Sequence, residues 1–358
     1  MKKRILFLIL ALVMTVACSC AAPSEPGETP VKTPGKTKAT DTPEPEATPF
    51  MYENAKSYEL IPDPTFQRGM ALLSQKDHAH GDRFEVLAKH SFYGNEPRAT
   101  RWSLCQWDSG PCLVENLIES DPSTITDGKS RMFKYEPSTN TMTFWLDTSA
   151  YYRGKPAVLG DYWPHLLIET SDYSYSSKDP DEQLFFRCDS DAIIISFDIK
   201  LDKYSITPIE GDWVEAAQFL LYVYVKGINT NDFCWFGLQL FDNRYDMSDN
   251  YIGYDGGKAD ASGAMIFSIG SKYVYENSHR TLYKNGVPDA GGDWVHVSID
   301  IKPFLEQMFE HGKSEKYFKA KSLSELIING MNLGWETIAT FDHQMEMRNL
   351  SVKSYRTE

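Results

Sequence analysis

The sequence predicts an all-β protein: a large β-sandwich with one or two short helices. Three observations carry that prediction. Short apolar stretches alternate with period two, turn-forming residues separate them, and only one stretch shows sustained helical spacing. The strand signals are Phe84–Val86, Thr141–Leu146, His165–Glu169, Ala192–Leu201, Phe219–Lys226, Cys234–Phe241, Met265–Ile269, Trp294–Ile301, Leu326–Leu333 and Gln344–Val352. Turn chemistry falls between them, as in Pro-Ser-Thr-Asn at 137–140 and Lys-Asn-Gly at 284–286. Many short strands with no alternating helices suit a sandwich rather than βαβ units.

The chain opens with Met1, Lys2, Lys3 and Arg4, followed by an apolar run from Ile5 to Val16 and then Ala17-Cys18-Ser19-Cys20. A basic start, a short apolar run and small residues before a cysteine form an export signal, too short to span a bilayer. Thr15-Val16-Ala17-Cys18 resembles the lipobox of bacterial lipoproteins, departing at Thr15, where that family usually has an aliphatic residue. The resemblance implies a signal peptide over residues 1–17 and a lipid on Cys18, which becomes the mature N-terminus. Cys20 is the other candidate, with Ser19 before the cut, and an ordinary signal peptide is the plainer reading. From 18 to 50 the composition turns to Pro, Thr, Glu, Lys and Ala, with almost nothing to bury. Ordering such a segment costs entropy without return, and its prolines keep it extended, so it reads as a disordered stalk. The remainder, 51–358, shows no second linker and no internal repeat and is read as one sandwich domain. The expected location is therefore a bacterial membrane, with the domain facing the periplasm or the cell surface and held by its N-terminal lipid alone.

The stretch from Asp232 to Tyr245 is where fold and function meet. Read with period two, Cys234, Phe236, Leu238 and Leu240 form a core face. Trp235, Gly237, Gln239 and Phe241 form the other, which runs into Asp242, Asn243, Arg244 and Tyr245. An aromatic ring beside amide, carboxylate and guanidinium groups suits a sugar, with its apolar C–H face and rim of hydroxyls. The preceding strand, Phe219–Lys226, is apolar on both faces and belongs in mid-sheet.

Towards the C-terminus, Ile301, Phe304, Leu305, Met308 and Phe309 have helical spacing, with Pro303 near the start and Gly312 just past the expected end. Met345 and Met347 alternate, and Leu350 and Val352 continue in the shifted phase. That pattern is a last strand with a bulge, paired near the first strand.

The net charge of −14 grows more negative once Lys2, Lys3 and Arg4 leave with the leader. Such a surface repels nucleic acid and anionic lipid headgroups, excluding both as ligands. Cys105 and Cys112 flank Gln-Trp-Asp-Ser-Gly-Pro, a hairpin-like loop in which a disulfide is geometrically plausible. Cys234 reads as a small buried hydrophobe.

Most of the eight tryptophans must be core, Trp294 and Trp213 among them, whereas Trp107 and Trp163 stand in loop-like contexts suited to a ligand face. His78-Ala79-His80 reads as a solvated turn rather than half of a metal site. His165 shares a strand face with Leu167 and Glu169. Asp242, Asp246, Asp249, Asp255 and Asp260 do not fit an EF-hand, so no metal or other cofactor is expected, although a loop calcium is compatible with their crowding. Asp198, Lys200 and Asp202 share a strand face that reads as exposed. The paired-carboxylate motif Glu-x-Asp-x-x-Glu of laminarinase-like jelly rolls is absent.

Through its strand rhythm, aromatic content and lipid-plus-stalk layout, the domain resembles the concanavalin A-like and carbohydrate-binding jelly-roll modules of secreted bacterial proteins. The resemblance is one of architecture and implies no specific chemistry. The leading expectation is a surface-tethered lipoprotein that binds extracellular glycan through Trp235, Gln239, Asp242, Asn243 and Arg244, helped by Trp107 or Trp163. The alternatives are a polysaccharide-degrading enzyme, a glycoside hydrolase or a lyase with His165 or Tyr245 as base, and a structural or adhesive surface protein.

Overall fold

The computed structural model describes residues 54–74, 86–105, 117–118, 121–149, 164–171, 179–207, 215–256 and 262–357. They belong to a unit running from Asn54 to Glu358. Residues 1–17, read as a signal peptide, and Cys18, the 18–50 segment, His78, His80, Trp107, Cys112, Trp163, Trp213 and Asp260 lie outside the described residues.

Two sheets form a jelly-roll β-sandwich, with strands numbered in chain order. The seven-stranded sheet runs β16 (Val295–Asp300), β9 (Ala192–Ile206), β18 (Phe341–Arg356), β7 (Thr141–Asp147), β6 (Arg131–Glu136) and β5 (Thr124–Thr126). Its seventh strand, β1 (Lys56–Glu59), pairs with β18 beyond the part that β7 covers, so the first strand does meet the last. The nine-stranded sheet runs β12 (Tyr251–Tyr254), β13 (Met265–Ile269), β11 (Phe233–Asp242), β10 (Ala216–Gly227), β17 (Leu326–Ile338), β8 (His165–Ser171), β4 (Trp102–Cys105), β2 (Met70–Leu73) and β3 (Val86–His90). A small ribbon pairs β14 (Tyr283–Lys284) with β15 (Val287–Pro288), turning through Asn285 at positive φ. Helices α1 (Pro180–Leu184), α2 (Ser271–Val274) and α3 (Lys302–Ser314) complete the elements used below.

Alternation builds the core. Leu166 and Ile168 of β8, Phe219, Leu221 and Val223 of β10, and Cys234, Phe236 and Leu238 of β11 are all buried. They belong to one apolar cluster with Phe133 of β6, Phe144 of β7, Ile195 and Phe197 of β9 and Met345 and Met347 of β18. Phe144 meets Phe219 edge-on at 5.2 Å, and the Trp335 indole donates to the Phe144 carbonyl at 3.1 Å, tying one sheet to the other. Each large side chain buried this way contributes about 1.5–3 kcal/mol.

Two register shifts matter. In β18 the pairing with β9 slips between Arg348 and Ser351, with Asn349 at φ +57°. That bulge turns the inward phase from Met347 to Leu350 and Val352, as the sequence pattern predicts. In β11, Leu220 pairs with Gln239 while Phe219 pairs with Phe241, leaving Leu240 as the extra residue. Phe241 therefore does not share the face of Trp235 and Gln239. It is fully buried and stacks on Tyr283 at 5.4 Å. Helix α3 also corrects an expectation: Gly312 lies inside its last turn, against the Phe318 ring, rather than past the end.

Candidate functional site

The outward residues of the nine-stranded sheet form rows across the strands. One row runs Ser268, Gly237, Tyr222, Asn332, Glu169 and Ser103, from β13 to β4. A second, at one end of the same strands, runs Asp242, Gln218, Glu336 and His165. Between them lie Leu220, Gly334 and Leu167, so this middle row has no side chain at its centre. Gly334 is fixed there by its backbone, with φ +144° and an added Cβ only 2.0 Å from the Leu166 carbonyl oxygen.

An aromatic group occupies the β10–β11 part of this face. Trp235, part-exposed, meets Tyr224 edge-on at 5.1 Å, Phe233 at 4.9 Å and Tyr222 at 6.3 Å. Gly237 makes room for the Tyr222 ring, because a Cβ there would stand 2.2 Å from it. The Tyr222 hydroxyl is 3.1 Å from that of Ser268, and burial pushes its phenol pKa up, so it stays a neutral hydrogen-bonding group. The Tyr224 hydroxyl donates to Glu169 Oε2 at 2.7 Å.

The polar cluster after β11 is largely occupied by its own partners. Asp242 is 1 % exposed. Its carboxylate accepts from Gln218 Nε2 and Gln239 Nε2 at 2.9 Å each, from Arg244 Nε at 2.9 Å and from Arg244 Nη2 at 2.6 Å. Gln239 Oε1 accepts from the Ser248 hydroxyl at 2.6 Å, and Asn243 Oδ1 from the Ala217 backbone amide at 2.6 Å. A buried carboxylate needs such donors to remain ionised out of water. The network thus ties the end of β11 to the start of β10.

The structure therefore joins Gln239, Asp242 and Arg244 in one network and sets Trp235 on the same sheet face. His165 and Tyr245 are placed apart. His165 is 7 % exposed and stands three strands from Asp242 in its row, about 14 Å at ordinary strand spacing. Tyr245 is 52 % exposed in the loop after β11, with the Arg244 guanidinium 5.4 Å from its ring centre. Tyr222, Tyr224, Glu336 and Asn332 had escaped the sequence reading. The tyrosines at alternate positions in a strand taken as apolar on both faces were the available signal.

Cys105 carries a free, buried thiol, and Cys112, with which its spacing makes a disulfide plausible, lies outside the described residues. Burial and the nearby Glu169 charge raise the Cys105 pKa well above the ordinary thiol range. Among the described residues, no three His, Cys, Asp or Glu side chains are grouped to hold a metal ion. Of the acidic loop residues, Asp249 pairs with Lys272 at 3.1 Å, and Asp255 accepts from the Ser262 amide and hydroxyl at 2.8 and 2.7 Å. No helix among the described residues is long and apolar enough to cross a membrane.

No family model matches the sequence, and no curated protein matches it. Among solved structures it is similar to a family 12 xyloglucanase from Bacillus licheniformis, with 11 % identity and a TM-score of 0.36 over 67 % of this chain and 90 % of that one. It is also similar to the endoglucanase Cel12A of Rhodothermus marinus, with 10 % identity and a TM-score of 0.34 over 68 % of this chain and 90 % of that one. The xyloglucanase domain of NopAA from Sinorhizobium fredii, solved with cellobiose, has 11 % identity and a TM-score of 0.33 over 67 % and 90 %. At this level of identity and superposition, these likenesses define neither a family nor a site for this chain.

Proposed function

We propose that the outer face of the nine-stranded sheet binds extracellular glycan. The observation that carries this reading is the part-exposed Trp235, set edge-on against Tyr222 and Tyr224 and opening onto the row Asn332, Glu169 and Ser103. Rings held by neighbouring rings offer a stacking surface at little entropic cost, while the amide, carboxylate and hydroxyl side chains match sugar hydroxyls. In this reading Trp235 touches the sugar. Gln239, Asn243 and Arg244 border the face, and Asp242 holds Gln239 and Arg244 in position. Trp107 or Trp163 is proposed as a further sugar contact, and alanine at the one that contributes should weaken binding. Titration of the mature protein with soluble β-glucan, xyloglucan and xylan tests the reading. Weaker binding in Trp235→Ala supports it, and binding unchanged in that variant overturns it.

A hydrolytic reading is favoured by one further observation. Glu169 and Glu336 project from neighbouring strands onto the same face, with bare Gly334 between their rows. Their four-residue offset places the Cα atoms roughly 14 Å apart, so the side chains must lean together to reach the roughly 5–9.5 Å that glycoside hydrolysis uses. In this reading Glu169, held by the Tyr224 hydroxyl, and Glu336 would be the two carboxyl groups that act on the glycosidic bond. Release of reducing ends that disappears in both Glu169→Gln and Glu336→Gln supports hydrolysis. Unsaturated uronate products dependent on His165 or Tyr245 would point instead to a lyase.

The location is part of the proposal: a lipid on Cys18 and a stalk over 18–50 would hold the domain outside the membrane. Metabolic labelling with a fatty-acid analogue tests it, since Cys18→Ala should abolish labelling and Cys20→Ala should not.

A further inference from the structure

The opposite side of the sandwich carries its own groove, of about 440 Å³, on the outer face of the seven-stranded sheet. Its floor is Thr141 of β7 and Gln344 and Glu346 of β18, with Lys134 of β6 on one side and Trp294 on the other. Trp294 immediately precedes β16 and is part-exposed, not in the core where the sequence places it. Val295 there pairs with Ile199, which sets the indole at the level of Lys200 on the outer face.

This tryptophan is held in place by a chain of contacts. The Arg348 guanidinium lies 4.3 Å from its ring centre, and Arg348 Nε donates to Asp198 Oδ2 at 3.0 Å. His296 Nδ1 and Asn349 Nδ2 also reach the Asp198 carboxylate, at 2.8 and 3.1 Å. A part-exposed indole fixed in this way loses little freedom when a ligand stacks on it.

The lining also indicates the charge of the ligand. Lys134 and Arg348 are balanced by Glu136 and Glu346, so the groove favours neither an anion nor a cation. Gln344 uses its Nε2 on Asp202 at 2.9 Å, which leaves Oε1 as an acceptor, while Lys134 is a donor and Thr141 can act as either. An aromatic platform beside mixed donors and acceptors with no net charge suits an uncharged polyol. The groove crosses β6, β7 and β18, so an extended chain would lie across the strands.

We propose that this groove is a second glycan site, specific for neutral polysaccharide and independent of the face built on Trp235. Affinity electrophoresis of the full mature chain through gels containing β-glucan, xyloglucan or polygalacturonate tests it. The proteins compared are wild type, Trp294→Ala, Trp235→Ala, the double variant and Thr141→Arg, each checked for an unchanged melting temperature. Thr141→Arg fills the groove without removing the indole or its support, so it remains informative if Trp294→Ala folds poorly. Trp294→Ala should weaken retention by a neutral polymer about 2- to 10-fold, as expected for one lost ring contact, with or without Trp235. Thr141→Arg should do the same. If Trp294→Ala weakens retention with Trp235→Ala having no effect, the groove stands and the nine-stranded face loses its role. Retention unchanged in Thr141→Arg overturns the proposal, as does stronger retention by polygalacturonate than by the neutral polymers.

Discussion

Tyr224 on β10 donates its hydroxyl to Glu169 on β8 at 2.7 Å, reaching across the strand between them. The reach is made where β17 slips register against β10, between Val223 and Val225. Tyr224 is thus both part of the aromatic group around Trp235 and the holder of a carboxylate two strands away. Tyr224→Phe keeps the ring and deletes only this bond. It should lower stability by about 1.5–3 kcal/mol, the usual worth of a hydrogen bond to a charged group. Under the hydrolytic reading it should also lower turnover more than tenfold with little change in KM. Equal turnover in wild type and variant would remove Glu169 from the chemistry.

Asp242 makes a contrasting prediction, because its carboxylate is buried beneath its own partners. Arg244→Ala leaves a buried carboxylate with the two glutamine amides and the Arg244 backbone amide. Asp242→Ala leaves Gln218, Gln239 and Arg244 without their shared acceptor. Removing one partner of a buried pair costs about 3–5 kcal/mol, and less where one partner reaches water, as Arg244 does with 35 % of its side chain exposed. Asp242→Ala should therefore lower the melting temperature more than Arg244→Ala does. The reverse order would show that Arg244 carries stability by other means.

The fold was largely legible in the sequence because strand alternation is local. β7 and β11 appear within a residue or two of their expected limits, and the β18 bulge follows from the phase change between Met347 and Leu350. β17 runs past its expected limit at Leu333 to Ile338, with Gly334 inside it at φ +144°. β2, β4 and β5 are only three or four residues long and carry too little periodic signal to stand out. The site was harder to read, since its rows join residues far apart in sequence. Glu169, Asn332 and Tyr222 stand side by side through pairings that nothing local encodes. The Asp242 network was visible as composition, but the place of Asp242 on the outer face beside Gln218 depends on the Leu240 bulge.

His343 sets a pH dependence of stability. It is fully buried, with Nε2 3.2 Å from the Thr337 hydroxyl and its ring centre 3.9 Å from that of Trp335. Burial lowers its pKa to about 3. In the unfolded chain the same histidine titrates near 6.5, so the unfolded state takes up a proton first as pH falls. Stability from this group is complete above about pH 6.5 and is lost progressively towards pH 3, at up to roughly 1.4 kcal/mol per pH unit. Burial raises the carboxyls of Asp63 and Asp300, which act in the opposite direction, but equally in wild type and variant. His343→Gln should be less stable at pH 7 through lost packing, yet show a flatter decline between pH 6 and 4. Parallel urea midpoints for the two proteins across that range would contradict the assignment.

Within β11, Trp235 and Leu238 stand on the outer face and the core face of the sheet, and the proposed glycan site requires that they behave differently. Leu238 is 1 % exposed and belongs to the central cluster, so Leu238→Ala should cost about 2–5 kcal/mol through lost transfer energy and the cavity left behind. Trp235 is part-exposed, and its contacts run along the sheet surface to Tyr222, Tyr224 and Phe233. Its truncation forfeits edge-on ring contacts of about 0.5–1.5 kcal/mol each but opens no enclosed cavity, so the total should fall below the roughly 3–5 kcal/mol of a fully buried tryptophan. Both residues share one strand, one host and one unfolded chain, so the comparison is internal. Chemical denaturation measures the stability costs and polysaccharide titration measures the binding. Under the glycan-binding reading, Leu238→Ala should lose stability and keep its affinity wherever it remains folded, whereas Trp235→Ala should lose affinity at a smaller cost in stability. If Trp235→Ala destabilises as much as Leu238→Ala while binding persists, the indole is packing, and the ligand face must be sought away from β11.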